Sequence, residues 1–123
     1  MRLLAIIPLA LLLGLPSPSA RAAGDAEAGA ELYEFTCTGC HALDFNRTGP
    51  RHRGVFGRKA GSLPDFDYSP ALRSSGVVWD ESSLDRWLTN PEAFIPGQAM
   101  NFRVNGEQSR ADIIAFLRKA SGR

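Results

Sequence analysis

Cys37 and Cys40 are the only cysteines in this chain of 123 residues, and His41 follows the second directly. Two thiols set two residues apart with an imidazole beside them commit that stretch to a short list of chemistries. The pair can close a disulfide, supply half of a zinc site, or anchor a large ligand. Each option makes different demands on the rest of the chain, so the pentapeptide CTGCH constrains the fold more than any other feature.

Compartment decides which chemistry is allowed. The chain opens MRLLAIIPLALLLGLPSPSARA: one Arg, an apolar run from Leu3 to Leu15, then a Pro/Ser-rich stretch ending in small residues. A bilayer span needs about 20 apolar residues. The run therefore reads as a cleavable secretory signal with Ala20-Arg21-Ala22 as its cleavage site, the alternative being an uncleaved anchor. The expected division is a signal peptide over 1–22 and a single domain over 23–123, with a periplasmic location. A domain of that size buries only about two-thirds of its unfolded surface, so a large apolar cofactor in its core adds stability. With the leader go Arg2 and Arg21, leaving 12 basic residues of the 14 against 13 acidic ones. The only lysines are Lys59 and Lys119. No basic, phosphate-binding surface is evident, so nucleic acid is not an expected partner. No later segment reads as a membrane span, and a monomer is expected.

In an oxidising compartment a disulfide is the default for a cysteine pair. A thioredoxin-like redox site, however, follows a strand in a βαβ pattern, and no strand is legible. A structural zinc needs four ligands, and after the leader the chain offers two Cys, His41 and His52 without a second paired spacing. Haem asks for less and explains more. Two thiolates at this spacing can add to the two vinyl groups of one haem, and the next His then lies under the iron; C-x-x-C-H is a haem attachment pattern.

A covalent haem on one His leaves the sixth iron position to be filled. Past the leader Met100 is the only methionine, and it stands in NPEAFIPGQAMNF, an irregular segment punctuated by Pro91, Pro96 and Gly97. A lone Met is usually core filler, but this one sits on a Pro/Gly-shaped loop, where a ligand is presented. Thioether ligation raises a haem potential relative to imidazole.

The expected fold is all-α. Residues 25–35 read as a helix capped by Asp25, with Gly29 and Tyr33 on one face. Gly29 would permit a close crossing by residues 110–119, where Ser109 and Asp112 resemble a capping box and Ile113, Phe116 and Leu117 form the apolar stripe. Ser69 and Pro70 read as cap and first turn of a short helix that stops before Gly76. Residues 81–89 form another helix, with Leu84, Trp87 and Leu88 inward, ended by Pro91. Residues 44–68 read as loop, and long loops in a compact domain usually wrap something.

Five segments in order, CTGCH, TGPRHRGVFGRKAG, DFDYSPALRSSGVVW, LTNPEAFIPGQAMNF and RADIIAFLRKA, resemble those of class I cytochromes c, in the branch of mitochondrial cytochrome c and its bacterial periplasmic relatives. The likeness spans residues 24–120 and implies crossing N- and C-terminal helices, with short helices and long loops wrapped around one covalent haem c. By this resemblance Cys37 and Cys40 carry the thioether bonds, while His41 and Met100 are the axial iron ligands. Pro50 takes the position whose carbonyl accepts the proximal imidazole N–H. Arg58, Tyr68 and Trp79 match residues that hydrogen-bond and compensate the haem propionates, and Phe102 matches the aromatic beside the exposed haem edge. Elementary chemistry agrees for the propionates, since a carboxylate drawn into a low-dielectric interior must be paired.

The departures are specific. Trp87 stands where relatives place a Tyr near the Met sulfur, and its indole N–H can donate but not accept. Gln98 replaces a Thr just before the ligand. His52 occupies a normally apolar position and is expected to face solvent, a second ligand in an unfolded or alkaline form being the alternative. The lysines that steer mitochondrial relatives are missing: Glu92, Ala93 and Ala99 occupy matching positions. Whether Arg47, Arg51, Arg53, Arg86 and Arg103 replace that ring or form a solvated surface stays open. The resulting reading is a soluble periplasmic one-electron carrier, not an enzyme. Its partners are membrane or periplasmic redox complexes: an oxidase, a quinol–cytochrome c reductase, a dehydrogenase or a reaction centre. The alternatives are a docking module of one dehydrogenase, or a haem peroxidase or gas-binding protein with a labile Met.

Overall fold

The computed structural model describes residues 23–123; the expected leader over 1–22 lies outside the described residues. Among the described residues the order is five helices, α1 (Ala26–Thr36), α2 (Pro70–Arg73), α3 (Glu81–Thr89), α4 (Pro91–Phe94) and α5 (Glu107–Ala120), and no strand. The all-α expectation holds. None of these helices is long and apolar enough to cross a membrane.

α1 begins where its cap is strongest. The Asp25 carboxylate accepts the Glu27 and Ala28 N–H groups, satisfying two donors that have no partner inside the helix. It crosses α5 at Gly29. A Cβ there would stand 1.9 Å from the Asp112 carbonyl oxygen, so only glycine allows the two backbones this close. The crossing buries Tyr33 of α1 and Ile113, Ile114 and Leu117 of α5. Phe116 is half-buried and packs on the Tyr33 ring at 5.0 Å between centroids.

One expectation needs correction. Ser109 and Asp112 form no capping box: α5 starts earlier, its cap is Gly106, and no side chain bonds there. Asp112 serves the other helix instead. Its Oδ1 accepts the Asp25 N–H at 2.8 Å and the Gln108 amide at 2.8 Å, because the crossing at Gly29 brings the start of α1 against it. Pro91 ends α3 as expected, and it also opens the single turn α4, with Asn90 accepting the Ala93 N–H. A proline at a first helical position gives up no useful donor.

Elsewhere the reading stands. Ser69 caps α2 and Pro70 opens it. Asp80 and Ser83 form a reciprocal capping box on α3, which buries Leu84, Trp87 and Leu88. The 44–68 segment lacks helix, and besides bonds along itself it is tied across the molecule. Gly57 N–H donates to the Trp79 carbonyl at 2.6 Å, Trp79 N–H to Arg58 at 2.9 Å, and Ala60 N–H to Val77 at 2.7 Å. These bonds bring Arg58 and Trp79 onto one wall.

Candidate haem site

The wall belongs to a mainly apolar cavity of about 420 Å³. Cys37, Cys40, His41, Pro50, Arg58, Tyr68, Trp79, Trp87, Met100 and Phe102, all the residues singled out from the sequence, line it. They come from the turn that ends α1, the 41–68 loop, the segment before α3, α3 itself and the segment after α4, so no two adjacent elements could have built it alone.

Cys37 is the C-cap of α1 and donates its N–H to Tyr33, while the N–H groups of Cys40 and His41 both point to the Cys37 carbonyl, at 3.1 and 2.9 Å. This turn projects both thiols and the imidazole to one side. The thiols are not joined as a disulfide. Burial pushes the Cys37 thiol up. No three His, Cys, Asp or Glu side chains are gathered as a donor set for a bare metal ion among the described residues. An iron already held by a porphyrin asks the protein only for axial donors.

His41 is fixed from two sides. Its Nδ1–H donates to the Pro50 carbonyl at 2.8 Å, and burial pushes its pKa down, against that bond. The neutral ring therefore keeps Nε2 as its free acceptor. A Cβ on Gly49 would stand 2.1 Å from the ring, so residue 49 is glycine because the imidazole lies against its backbone.

His52 does not face solvent as expected. Its ring stacks on His41 at 3.9 Å between centroids, tilted by 20°, and its Nδ1 bonds the Tyr33 hydroxyl at 2.9 Å. Burial first, then the neighbouring His41 and Arg58, holds His52 well below the usual imidazole range, so it is neutral at pH 7. Burial likewise drives the Tyr33 phenol up, out of the range where it would ionise. Sequence reasoning placed Tyr33 on the buried face of α1 and His52 near the proximal side, but missed that they form a polar pair. Two polar rings at otherwise apolar positions were the available signal.

Opposite conditions hold around Arg58. Its guanidinium donates to the carbonyls of Arg51 at 2.8 Å and Arg53 at 3.4 Å, and no carboxylate pairs with it among the described residues. Burial lowers its pKa, yet a guanidinium stays charged. A half-buried cation without an anion calls for one. The Tyr68 hydroxyl and the Trp79 and Trp87 indoles make no hydrogen bond to protein among the described residues. A flat apolar group bearing carboxylates would satisfy Arg58, Tyr68 and Trp79, and Leu84, Leu88 and Ile113 of the same cavity would receive its apolar body. The residues fit a haem.

Phe102 is 46 % exposed at the rim. Of the five arginines weighed against the missing lysines, four have partners within the chain. Arg51 pairs with Asp65 at 2.6 Å, Arg53 pairs with Asp44, Arg47 reaches the Thr38 carbonyl, and Arg86 lies 4.3 Å over the Phe94 ring.

The Cytochrome c family model matches residues 26–121 of the chain. The chain belongs to the cytochrome c family. It is 44% identical over 110 residues to cytochrome c2 of Rhodomicrobium vannielii, covering 86% of this chain and 87% of that one. It is 40% identical over 97 residues to cytochrome c type-1 of Ascaris suum, with 76% and 87% covered. Among solved structures it superposes on cytochrome cH from Methylobacterium extorquens with a TM-score of 0.74 at 38% identity, over 78% of this chain and 99% of that one. The fold is that of the class I cytochromes c. As a member of this family the chain binds one covalent haem c with its iron, and serves as a monohaem electron carrier.

Proposed function

We propose that the chain is exported, loses residues 1–22, and works in the periplasm as a soluble, monomeric one-electron carrier whose haem iron is held by His41 and Met100. The observation that carries this reading is that both residues line one apolar cavity, with the His41 ring locked by Pro50 and Gly49. Cys37 and Cys40 tether the haem. A bound haem iron supplies the one-electron couple.

The chain's own groups do the rest. The Pro50 carbonyl holds the Nδ1 proton of His41, which leaves Nε2 for the metal. Arg58, Tyr68 and Trp79 receive the propionates, Trp87 closes the cavity beside Met100, and the apolar wall keeps water out. His41 and Met100 would hold the iron in either oxidation state, so little of the chain would rearrange on electron transfer. Phe102 marks the rim where a partner approaches. The molecule acts as a carrier rather than an enzyme. It exchanges electrons with membrane or periplasmic redox complexes: an oxidase, a quinol–cytochrome c reductase, a dehydrogenase or a reaction centre.

The test is the absorption spectrum of the ferric holoprotein. Low-spin haem with a weak far-red band that vanishes in Met100→Ala supports the carrier. A high-spin spectrum in the unaltered protein would instead point to an open sixth position and a gas-binding or peroxidase role.

A second reading, a haem subunit docked on one dehydrogenase, is favoured by one observation. Two of the five arginines, Arg51 and Arg53, are paired with carboxylates within the chain, which weakens long-range steering. Co-migration with a dehydrogenase that persists at high salt would select it.

A further inference from the structure

We propose that Glu92 is a positioning residue for the segment that presents Met100, its carboxylate acting as a clamp across the Pro96–Met100 turn. Glu92 stands in the single turn α4, which Pro91 opens and Asn90 caps. One carboxylate oxygen accepts the Gly97 N–H at 3.0 Å, and the other accepts the Gln98 side-chain amide at 3.2 Å. The same amide nitrogen lies 3.5 Å from the Asn101 side-chain oxygen. Gln98 is 8 % exposed. Its orientation is fixed by these neighbours: both are acceptors, so the NH₂ must face them, and Oε1 is left buried without a donor among the described residues. An amide that tolerates an unsatisfied oxygen to keep this arrangement is held by the carboxylate.

Little else restrains the segment. Gln98 N–H donates to the Ile95 carbonyl at 3.2 Å, and the next backbone bond is Val104 N–H to Leu88 at 2.8 Å. Between them Ala99, Met100, Asn101 and Phe102 line the cavity, with no backbone–backbone bond among the described residues. The clamp therefore sets how often Met100 leaves the cavity. Glu92 is itself exposed, and its carboxylate is turned to its own loop.

The proposal rests on Met100 being the sixth ligand, and the experiment separates the two. Imidazole is titrated into the ferric holoprotein, and amide exchange at Gly97 is followed by NMR. An external ligand binds in proportion to the open population. Loss of a charge-assisted bond shifts such a balance about tenfold. Glu92→Ala is expected to raise imidazole affinity about tenfold and to speed Gly97 exchange about as much. Glu92→Gln keeps one acceptor and moves both by about half as much on a logarithmic scale. Asp112→Ala weakens the distant helix crossing and is expected to change affinity less than about twofold, which separates positioning from general destabilisation. The proposal is overturned if Glu92→Ala leaves affinity unchanged while Met100→Ala raises it, or if Gly97 exchange does not respond. If Met100→Ala itself alters neither affinity nor the far-red band, the ligand assignment has failed. Gly97 exchange then still decides whether the clamp exists.

Discussion

At the α1–α5 crossing the chain meets its own backbone, and around the cavity it meets a space. Each region rests on one glycine that gives up its side chain to a neighbour. Gly29 yields to the Asp112 carbonyl, and Gly49 yields to the His41 imidazole. The first contact is backbone against backbone inside a core that includes Ile113 at 1 % exposure. The second serves one ring, in a wall that stays incomplete without a ligand. The crossing should therefore govern global stability, and the cavity wall should govern what the bound group does.

The largest expected effect breaks the crossing. Gly29→Ala puts a Cβ where two backbones cannot part cheaply and should cost about 3 kcal/mol or more, at or beyond the upper end of overpacking. The guanidinium unfolding midpoint reads this directly, and an unchanged midpoint would mean the helices slide freely. Gly49→Ala is its counterpart. It should leave the far-UV helix signal in place and abolish the low-spin spectrum, since the added methyl takes the space of the ring. If both signals fell together, the two regions would be one cooperative unit.

Smaller effects sharpen the contrast. Asp112→Ala removes the acceptor of the Asp25 N–H and of the Gln108 amide and should cost about 1–3 kcal/mol. Asp112→Asn keeps an oxygen there and should recover part of that loss in the same unfolding assay. Native-state hydrogen exchange should find the slowest amides in α1 and α5 and faster ones at residues 99–103, which make no backbone–backbone bond among the described residues.

The smallest effect concerns Asp80, whose carboxyl is held below the usual carboxylate range by the Ser83 backbone N–H and then by its hydroxyl. A depressed folded pKa means that the unfolded chain binds the proton more readily. The stabilisation is complete above about pH 4, where the unfolded Asp is ionised, and is lost as pH falls through the folded value. The loss should be about 1 kcal/mol or less at this exposed cap. Unfolding curves between pH 5 and 2 should show less pH dependence in Asp80→Asn than in the unaltered protein.

Much of the site was legible because its residue types have few uses. CTGCH, a lone Met on a Pro/Gly loop, and Arg58, Tyr68 and Trp79 in family segments all reach the cavity wall. α1 and α2 were legible from their caps, which are local: Asp25 and Ser69 each bond N–H groups within three residues; α3 was legible from its inward Leu84, Trp87 and Leu88. Failures came where a side chain chose a distant partner over a near one. Asp112 reads as part of a cap on its own helix, yet its carboxylate serves Asp25, 87 residues away. His52 reads as a surface residue, yet it stacks on His41.

By itself the sequence determined the chemistry: two thiols and an imidazole in one turn, a single thioether late in the chain, and helices whose ends are written in their caps. Those features rest on covalent spacing and on hydrogen bonds within one turn, so they need no knowledge of what lies across the core. Only the tertiary structure decided that Gly49 seats the imidazole, that Tyr33 and His52 form a polar pair behind it, that Asp112 serves the wrong helix for its position, and that the Glu92 carboxylate bonds the Gly97–Gln98 turn. Each of these depends on which surface packing brings within about 3 Å of a side chain, and residue types alone do not carry that distance.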